Sequence, residues 1–465
     1  MGPPHREAMD RLRRWIAPSP AYEPIDHPSD SDDEDIQPSL IRNRPISRFS
    51  RYEYAVFFLL GISMLWAWNM FLAAAPYFFR RFHSDDWAAT HYQPAILTVS
   101  TVTNLGSSFI LAKLQKGASH PRRIIVSLLI NIVVFTLLAF STVLLSDVSV
   151  RAYFGFLMCM VFGASLATGI NQIGVFAYVS GFGREEYTQA IMGGQGVAGV
   201  LPCIVQIVSV LAVPSPKLED GEAGEGDAPQ ESSKSAFAYF ITSTAMSSLA
   251  LLAFLSLARR RADKTHNSLL GERPRDTPGP EDVEGKKSVS LWVLFNKLRL
   301  PAISIILCFT VTMIYPVFTT VIESVRPRAD RSRIFDQAVF VPLGFFFWNA
   351  GDLTGRMLVL VPRLSLAHRP WALFVLAVGR VVFIPLYLLC NVQGRGAAVN
   401  SDFFYLFIVQ LLFGLTNGYL GSNCMMGAGY WVSEDEREPA GGFMSLMLVG
   451  GLSLGSLLSF FVAGV

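Results

Sequence analysis

Apolar runs of about 20 residues recur from Tyr54 to Val465, and that is the length a helix needs to cross a bilayer. In hydrocarbon every backbone N–H and C=O must be bonded inside the protein, so a chain built of such runs folds as a helical bundle. The runs fall near 54–79, 93–114, 123–145, 152–181, 187–213, 236–258, 301–324, 337–362, 371–391, 402–431 and 438–464. A soluble chain carries about a quarter charged residues. Here the share is 16%, with mean hydropathy +0.40. The chain reads as an all-α polytopic membrane protein of about eleven transmembrane helices.

The polar stretches divide it. Residues 1–52 read as a disordered cytosolic tail with an acidic run, Asp30-Ser-Asp-Asp-Glu-Asp35. The stretch Asp35–Ile41 nearly matches an acidic dileucine sorting signal, with the acid one residue too far away, so a sorting adaptor is a candidate partner. Residues 53–258 form an N-terminal six-helix bundle, 259–300 a cytosolic basic linker, and 301–465 a C-terminal five-helix bundle. The linker carries Arg259, Arg260, Arg261, Lys264, Lys286, Lys287, Lys297 and Arg299, and the positive-inside rule then places the N-terminus in the cytosol. Arg326, Arg328, Arg331 and Arg333, between spans 7 and 8, dissent from that rule. A shift of 252 residues matches Asn171 to Asn423, Tyr178 to Tyr430, Met192 to Met444 and Gly199 to Gly451. This internal repeat relates spans 4–5 to spans 10–11, as in transporters with a midplane site between two halves. The five cysteines sit within apolar runs and read as inert buried thiols, not as a metal site or disulfide framework.

Polar groups inside the spans are where chemistry is expected. Span 8 holds Asp352 and Arg356, and a charge at the bilayer centre costs about 2.5–3.5 kcal/mol on insertion scales. Phe345, Asn349, Asp352 and Arg356 share one helix face, with Gly351 and Gly355 beside it for close approach of a neighbour. A carboxylate accepts from vicinal hydroxyls and a guanidinium fork donates to them, so the pair suits a hydroxyl-rich ligand; the alternative is an ion pair that only fixes packing. In span 1, Trp68 and Asn69 lie mid-span with Leu65 and Leu72 nearby, able to stack on a flat ring and bond its edge, or else to glue helices together. Gln195 lies in the glycine-rich Gly193–Gly199 of span 5, a pattern that also serves plain helix packing. Asn171 and Gln172 are weaker candidates, and Arg380 reads as a structural or gating charge that snorkels.

These motifs together resemble the equilibrative nucleoside transporter family. Trp68-Asn69-Met70-Phe71 is similar to its first-span Trp-Asn pattern, and Gly194-Gln195-Gly196-Val197-Ala198-Gly199 to its fifth-span pattern. Asn349, Asp352, Gly355 and Arg356 reproduce its eighth-span Asn-X-X-Asp-X-X-Gly-Arg, while Phe413–Gly421 and Ala440–Met444 resemble its tenth and last spans. The resemblance implies a six-plus-five, major-facilitator-like fold that moves nucleosides by alternating access without ATP and without a cofactor. It also implies that Asp352 and Arg356 meet the ribose and that Gln195 and Trp68 meet the base. Leu65, Asn69, Leu72, Phe345 and Asn349 complete the wall. Two departures concern the base end: the family's Leu-Pro before Trp-Asn is here Trp66-Ala67. The acidic tail resembles members of vacuolar and lysosomal membranes.

No P-loop, His-Glu-X-X-His or nucleophile elbow is present, which argues against an ATP-driven pump and an enzyme. Facilitated diffusion of nucleosides, with nucleobases as further substrates, is expected, because an acid beside a base keeps its charge and carries protons poorly. The alternatives are proton-coupled transport, another small solute on the same fold, and a receptor or scaffold that moves nothing. On the transporter reading, Asp352→Ala abolishes uridine uptake while folding survives.

Overall fold

The computed structural model describes residues 49–114, 118–145, 147–212, 227–271, 289–327 and 331–462. The acidic run, the sorting-like stretch and the middles of the two long loops lie outside the described residues. Ten helices among the described residues are long and apolar enough to cross a membrane. They are α1 (Arg51–Phe82), α2 (Asp86–Lys113), α3 (His120–Leu144), α4 (Val150–Ser180), α5 (Glu185–Val208), α6 (Ser233–Asp263), α7 (Leu291–Val321), α9 (Pro370–Leu388), α10 (Phe404–Trp431) and α11 (Glu434–Ser459). Between them runs α8 (Gln337–Leu358), 22 residues long. That is about 33 Å at the α-helical rise, enough to cross a bilayer. Its Asn349, Asp352 and Arg356 make it less apolar than the others, so it relies on protein neighbours.

Local chemistry sets several boundaries. Ser50 caps α1 by accepting from the Glu53 N–H, and α1 breaks at Ala74, where Pro76 lies in the first turn of its second piece. The basic linker is partly helical: α6 continues to Gly271, and α7 starts at Leu291 and kinks at Leu298 before Pro301. Three of the dissenting arginines have structural partners, and Arg328 lies outside the described residues. Arg326 pairs with Asp402 at 3.5 Å and covers the Phe335 ring, Arg331 bonds the Ser324 and Arg326 carbonyls, and Arg333 bonds the Leu211 carbonyl. Such bonds explain positive charge that the loop rule does not anticipate. Cys203, Cys308, Cys390 and Cys424 are buried, but Cys159 on α4 is exposed, which corrects the reading of all five thiols as buried.

Helix neighbours repeat between the halves. α1 packs on α5, α2 on α4 and α3 on α4; six helices later α7 packs on α11, α8 on α10 and α9 on α10. Across the halves α5 meets α8 and α10, and α11 meets α2 and α4. The cores show how the halves sit. At the end where α1 begins, one continuous core joins Phe57, Leu60, Tyr187 and Met192 of the first half to Ile305, Phe309, Leu420 and Met444 of the second. At the far end there are two cores, one around Phe78, Phe135 and Phe240, the other around Tyr315, Phe340 and Phe413. The halves are therefore packed together at the N-terminal end and have separate cores at the far end.

Candidate functional site

The site begins with the glycines that let α8 and α10 touch. A Cβ on Gly351 or Gly355 would fall on the carbonyl oxygens of Leu411 and Leu415. One on Gly414 or Gly418 would fall on those of Trp348 and Asp352. This close crossing buries the polar face of α8, leaving Asp352 4% and Arg356 5% exposed. Burial on this scale demands that every polar atom find a partner. Arg356 Nε donates to Asp352 Oδ2 at 2.6 Å, and Asn417 Nδ2 of α10 donates to Asp352 Oδ1 at 2.6 Å. Arg356 Nη1 reaches across the halves, donating to the Met192 carbonyl at 2.8 Å and to Gln195 Oε1 at 3.2 Å. Gln195 Nε2 in turn points at Met64 Sδ of α1, at 3.4 Å. Asp352, Arg356 and Gln195 thus form one hydrogen-bonded chain running from α10 to α1 through α8 and α5.

The two asparagines meet the same turn of α5. Asn69 Nδ2 donates to the Ala198 carbonyl at 2.7 Å, and Asn349 Oδ1 lies against Gly199. Asn349 Nδ2 bonds the Phe345 carbonyl at 2.8 Å and faces Cys203 Sγ at 3.5 Å. Both asparagines are half-buried, so each ties helices together while remaining partly open. The other expected residues stand further out. The Phe345 ring meets Tyr315 edge-on at 5.8 Å, inside the second half. Trp68 stacks on Phe71 at 6.1 Å within α1, Leu65 is half-buried and Leu72 is 52% exposed. No bond joins these four side chains to the Asp352 chain among the described residues. Trp66 turns aside: its Nε1 faces Thr242 of α6 at 3.5 Å.

One expectation changes. Arg380 does not snorkel; it is 1% exposed and bonded within the second half. The glycines of span 5 serve close approach: Gly194 lies on the Phe58 carbonyl and Gly196 on Leu353 and Arg356. Asn171 and Gln172 are buried in α4. Asn417 and Thr312 were missed by sequence reasoning; the signal available was a mid-span amide in Phe413–Gly421, a segment notable there only for its resemblance.

A family model described as "Nucleoside transporter" matches residues 157–463. This chain belongs to the equilibrative nucleoside transporter family. Nucleoside transporter FUN26 of Saccharomyces cerevisiae is 30% identical to it over 89% of this chain and 84% of that one. Equilibrative nucleoside transporter 1 of Mus musculus is 28% identical over 88% and 96%. Among solved structures, the major facilitator superfamily transporter FucP in its outward conformation matches with a TM-score of 0.55 at 13% identity, covering 89% of this chain and 97% of that one. A mutant form of the nucleoside transporter NupG matches with a TM-score of 0.50 at 11% identity, covering 89% and 91%. These likenesses give the transporter a major-facilitator-like fold, and family membership makes it a nucleoside transporter, not an enzyme.

Proposed function

We propose that this transporter binds the ribose of a nucleoside at Asp352 and Arg356 and moves it by alternating access, as facilitated diffusion. The observation that carries the reading is the Arg356 guanidinium, buried at the seam and bonded to the Met192 carbonyl and Gln195 across it. Ribose hydroxyls can replace those acceptors and donate to the Asp352 carboxylate, so a ligand would exchange one set of bonds for another without leaving a buried charge bare. Gln195, Asn69 and Trp68 lie toward α1, on the side where the base would sit, with Leu65 and Leu72 continuing the same face of α1. Asn349 and Phe345 sit one and two turns back from Asp352 along α8, completing the wall. The separate cores at the far end support an approach from that side.

The test is uptake of radiolabelled uridine and adenosine into proteoliposomes, with ribose, free bases and deoxynucleosides as competitors. Asp352→Asn is expected to lose uptake while the protein stays monodisperse; unchanged uptake sinks the ribose assignment. Accumulation against a nucleoside gradient under an imposed pH gradient would overturn facilitated diffusion in favour of proton coupling. The acidic tail supports a vacuolar or lysosomal membrane, with a cytosolic N-terminus and an adaptor acting on residues 30–41. Deleting those residues is then expected to move a fluorescent fusion to the plasma membrane, and an unchanged distribution refutes the sorting role.

A further inference from the structure

A second buried cation lies behind the site. Arg380 on α9 donates Nη1 to the Phe413 carbonyl at 2.9 Å and to Thr416 Oγ1 at 2.6 Å. Its Nη2 donates to Thr312 Oγ1 at 3.1 Å and to Asn417 Oδ1 at 3.3 Å, and the guanidinium covers the Phe413 ring at 4.4 Å. None of these partners is a carboxylate. The Asp352 carboxylate lies one side chain further on, through the Asn417 amide.

An amide has a donor end and an acceptor end, and its neighbours decide which way round it sits. Thr312 has a single hydroxyl proton, within reach of both the Cys308 carbonyl at 2.7 Å and Asn417 Oδ1 at 2.6 Å, so it does not orient the amide by itself. Cys308 is a weak thiol donor, 3.3 Å from Asn417 Oδ1. Arg380 is donor only. It holds the Asn417 oxygen on its own side, which leaves Nδ2 facing Asp352. A flipped amide would set oxygen against the carboxylate and leave two buried acceptors unpaired.

We propose that Arg380 is a positioning residue for substrate recognition, which orients the Asp352 carboxylate through Asn417. The proposal rests on the ribose reading of Asp352. With Asn417 on one oxygen and Arg356 on the other, the carboxylate plane is fixed and its remaining lone pairs meet vicinal hydroxyls in one direction. Discrimination between ribose and a sugar without those hydroxyls should therefore depend on a residue buried in α9.

The test compares uridine with 2′,3′-dideoxyuridine as competitors of labelled uridine uptake in proteoliposomes. Arg380→Gln and Asn417→Asp are each expected to weaken uridine roughly tenfold, the scale of one hydrogen bond to a charged group, and dideoxyuridine far less. The double variant should fall no further than either single one. A preserved uridine-to-dideoxyuridine ratio, with only the maximal rate or the yield reduced, would make Arg380 a packing residue and overturn the proposal, as would additive losses. Asn417→Asp keeps the side-chain size and removes the donor, so it decides the question alone if Arg380→Gln does not fold. Asp352→Asn in the same assay separates the two readings. If it keeps the ratio, the ribose reading has failed; if it alone loses the ratio, only the positioning role has.

Discussion

Asp352 has each oxygen occupied, one by Arg356 and one by Asn417, and Arg356 is shared with Gln195 and Met192. This saturation alters what Asp352→Ala should do. Removing one partner of a buried pair leaves an uncompensated charge, a loss of about 3–5 kcal/mol. The alanine variant is expected to melt well below the wild type in detergent, contrary to the sequence-based expectation that folding survives. Asp352→Asn keeps the volume and an acceptor, so its melting temperature should lie between the two. A thermal shift that leaves Asp352→Ala as stable as wild type would mean that the pair is hydrated, not buried.

The α8–α10 crossing depends on glycines whose neighbours are backbone atoms and give way poorly. Gly418→Ala puts a methyl group on the Asp352 carbonyl, and separating the helices is expected to cost about 1–3 kcal/mol of stability and to disturb uridine affinity. Gly155→Ala on α4 meets nothing within 4 Å and should be neutral or stabilise by up to about 1 kcal/mol through helix propensity. Equal melting temperatures for the two variants would refute this account of the crossing. At the start of α2, Asp85 caps the helix by accepting from Ala88 and Trp87, and pairs with Arg151 of α4 at 3.3 Å. The Ala88 N–H first, with Arg151 and the Trp87 N–H behind it, outweighs the desolvation that opposes it and holds the carboxyl below the usual range. A lowered value means the unfolded chain binds the proton better. The cap's stabilisation is therefore present at neutral pH and lost as pH falls through the carboxylate range. The acid-induced drop in melting temperature should be smaller in Asp85→Asn, and an identical drop would dismiss the cap as its source.

At the scale of the molecule the halves touch where α5 begins and α8 ends. Gln189 Nε2 approaches Met357 Sδ at 3.8 Å, Tyr430 bonds Glu185, and Gly441 lies on the Phe176 carbonyl. Toward the far end Arg333 bonds the Leu211 carbonyl across the halves. Alternating access requires the first set of contacts to part. A Gln189→Cys, Met357→Cys pair joined by a short thiol cross-linker should stop uptake, with recovery on reduction for a cleavable reagent. Full uptake by a completely cross-linked protein would exclude this seam as a moving surface.

Span number, span type and the Asp352–Arg356 pair were legible in the chain, because hydrocarbon leaves a backbone few choices and makes intramembrane charges rare. The same reasoning placed Gln195, Asn69 and Asn349 as candidates, and the fold joins Gln195 to the pair and sets both asparagines against one turn of α5. It could not give Arg380 its partners, since Asn417 and Thr312 lie 37 and 68 residues away along the chain. Nor could it show that Trp66 turns toward α6, which leaves that substitution outside the seam. Periodicity tells which residues share a face of one helix. What each face meets is set by which helices pack together, and only the folded bundle decides that.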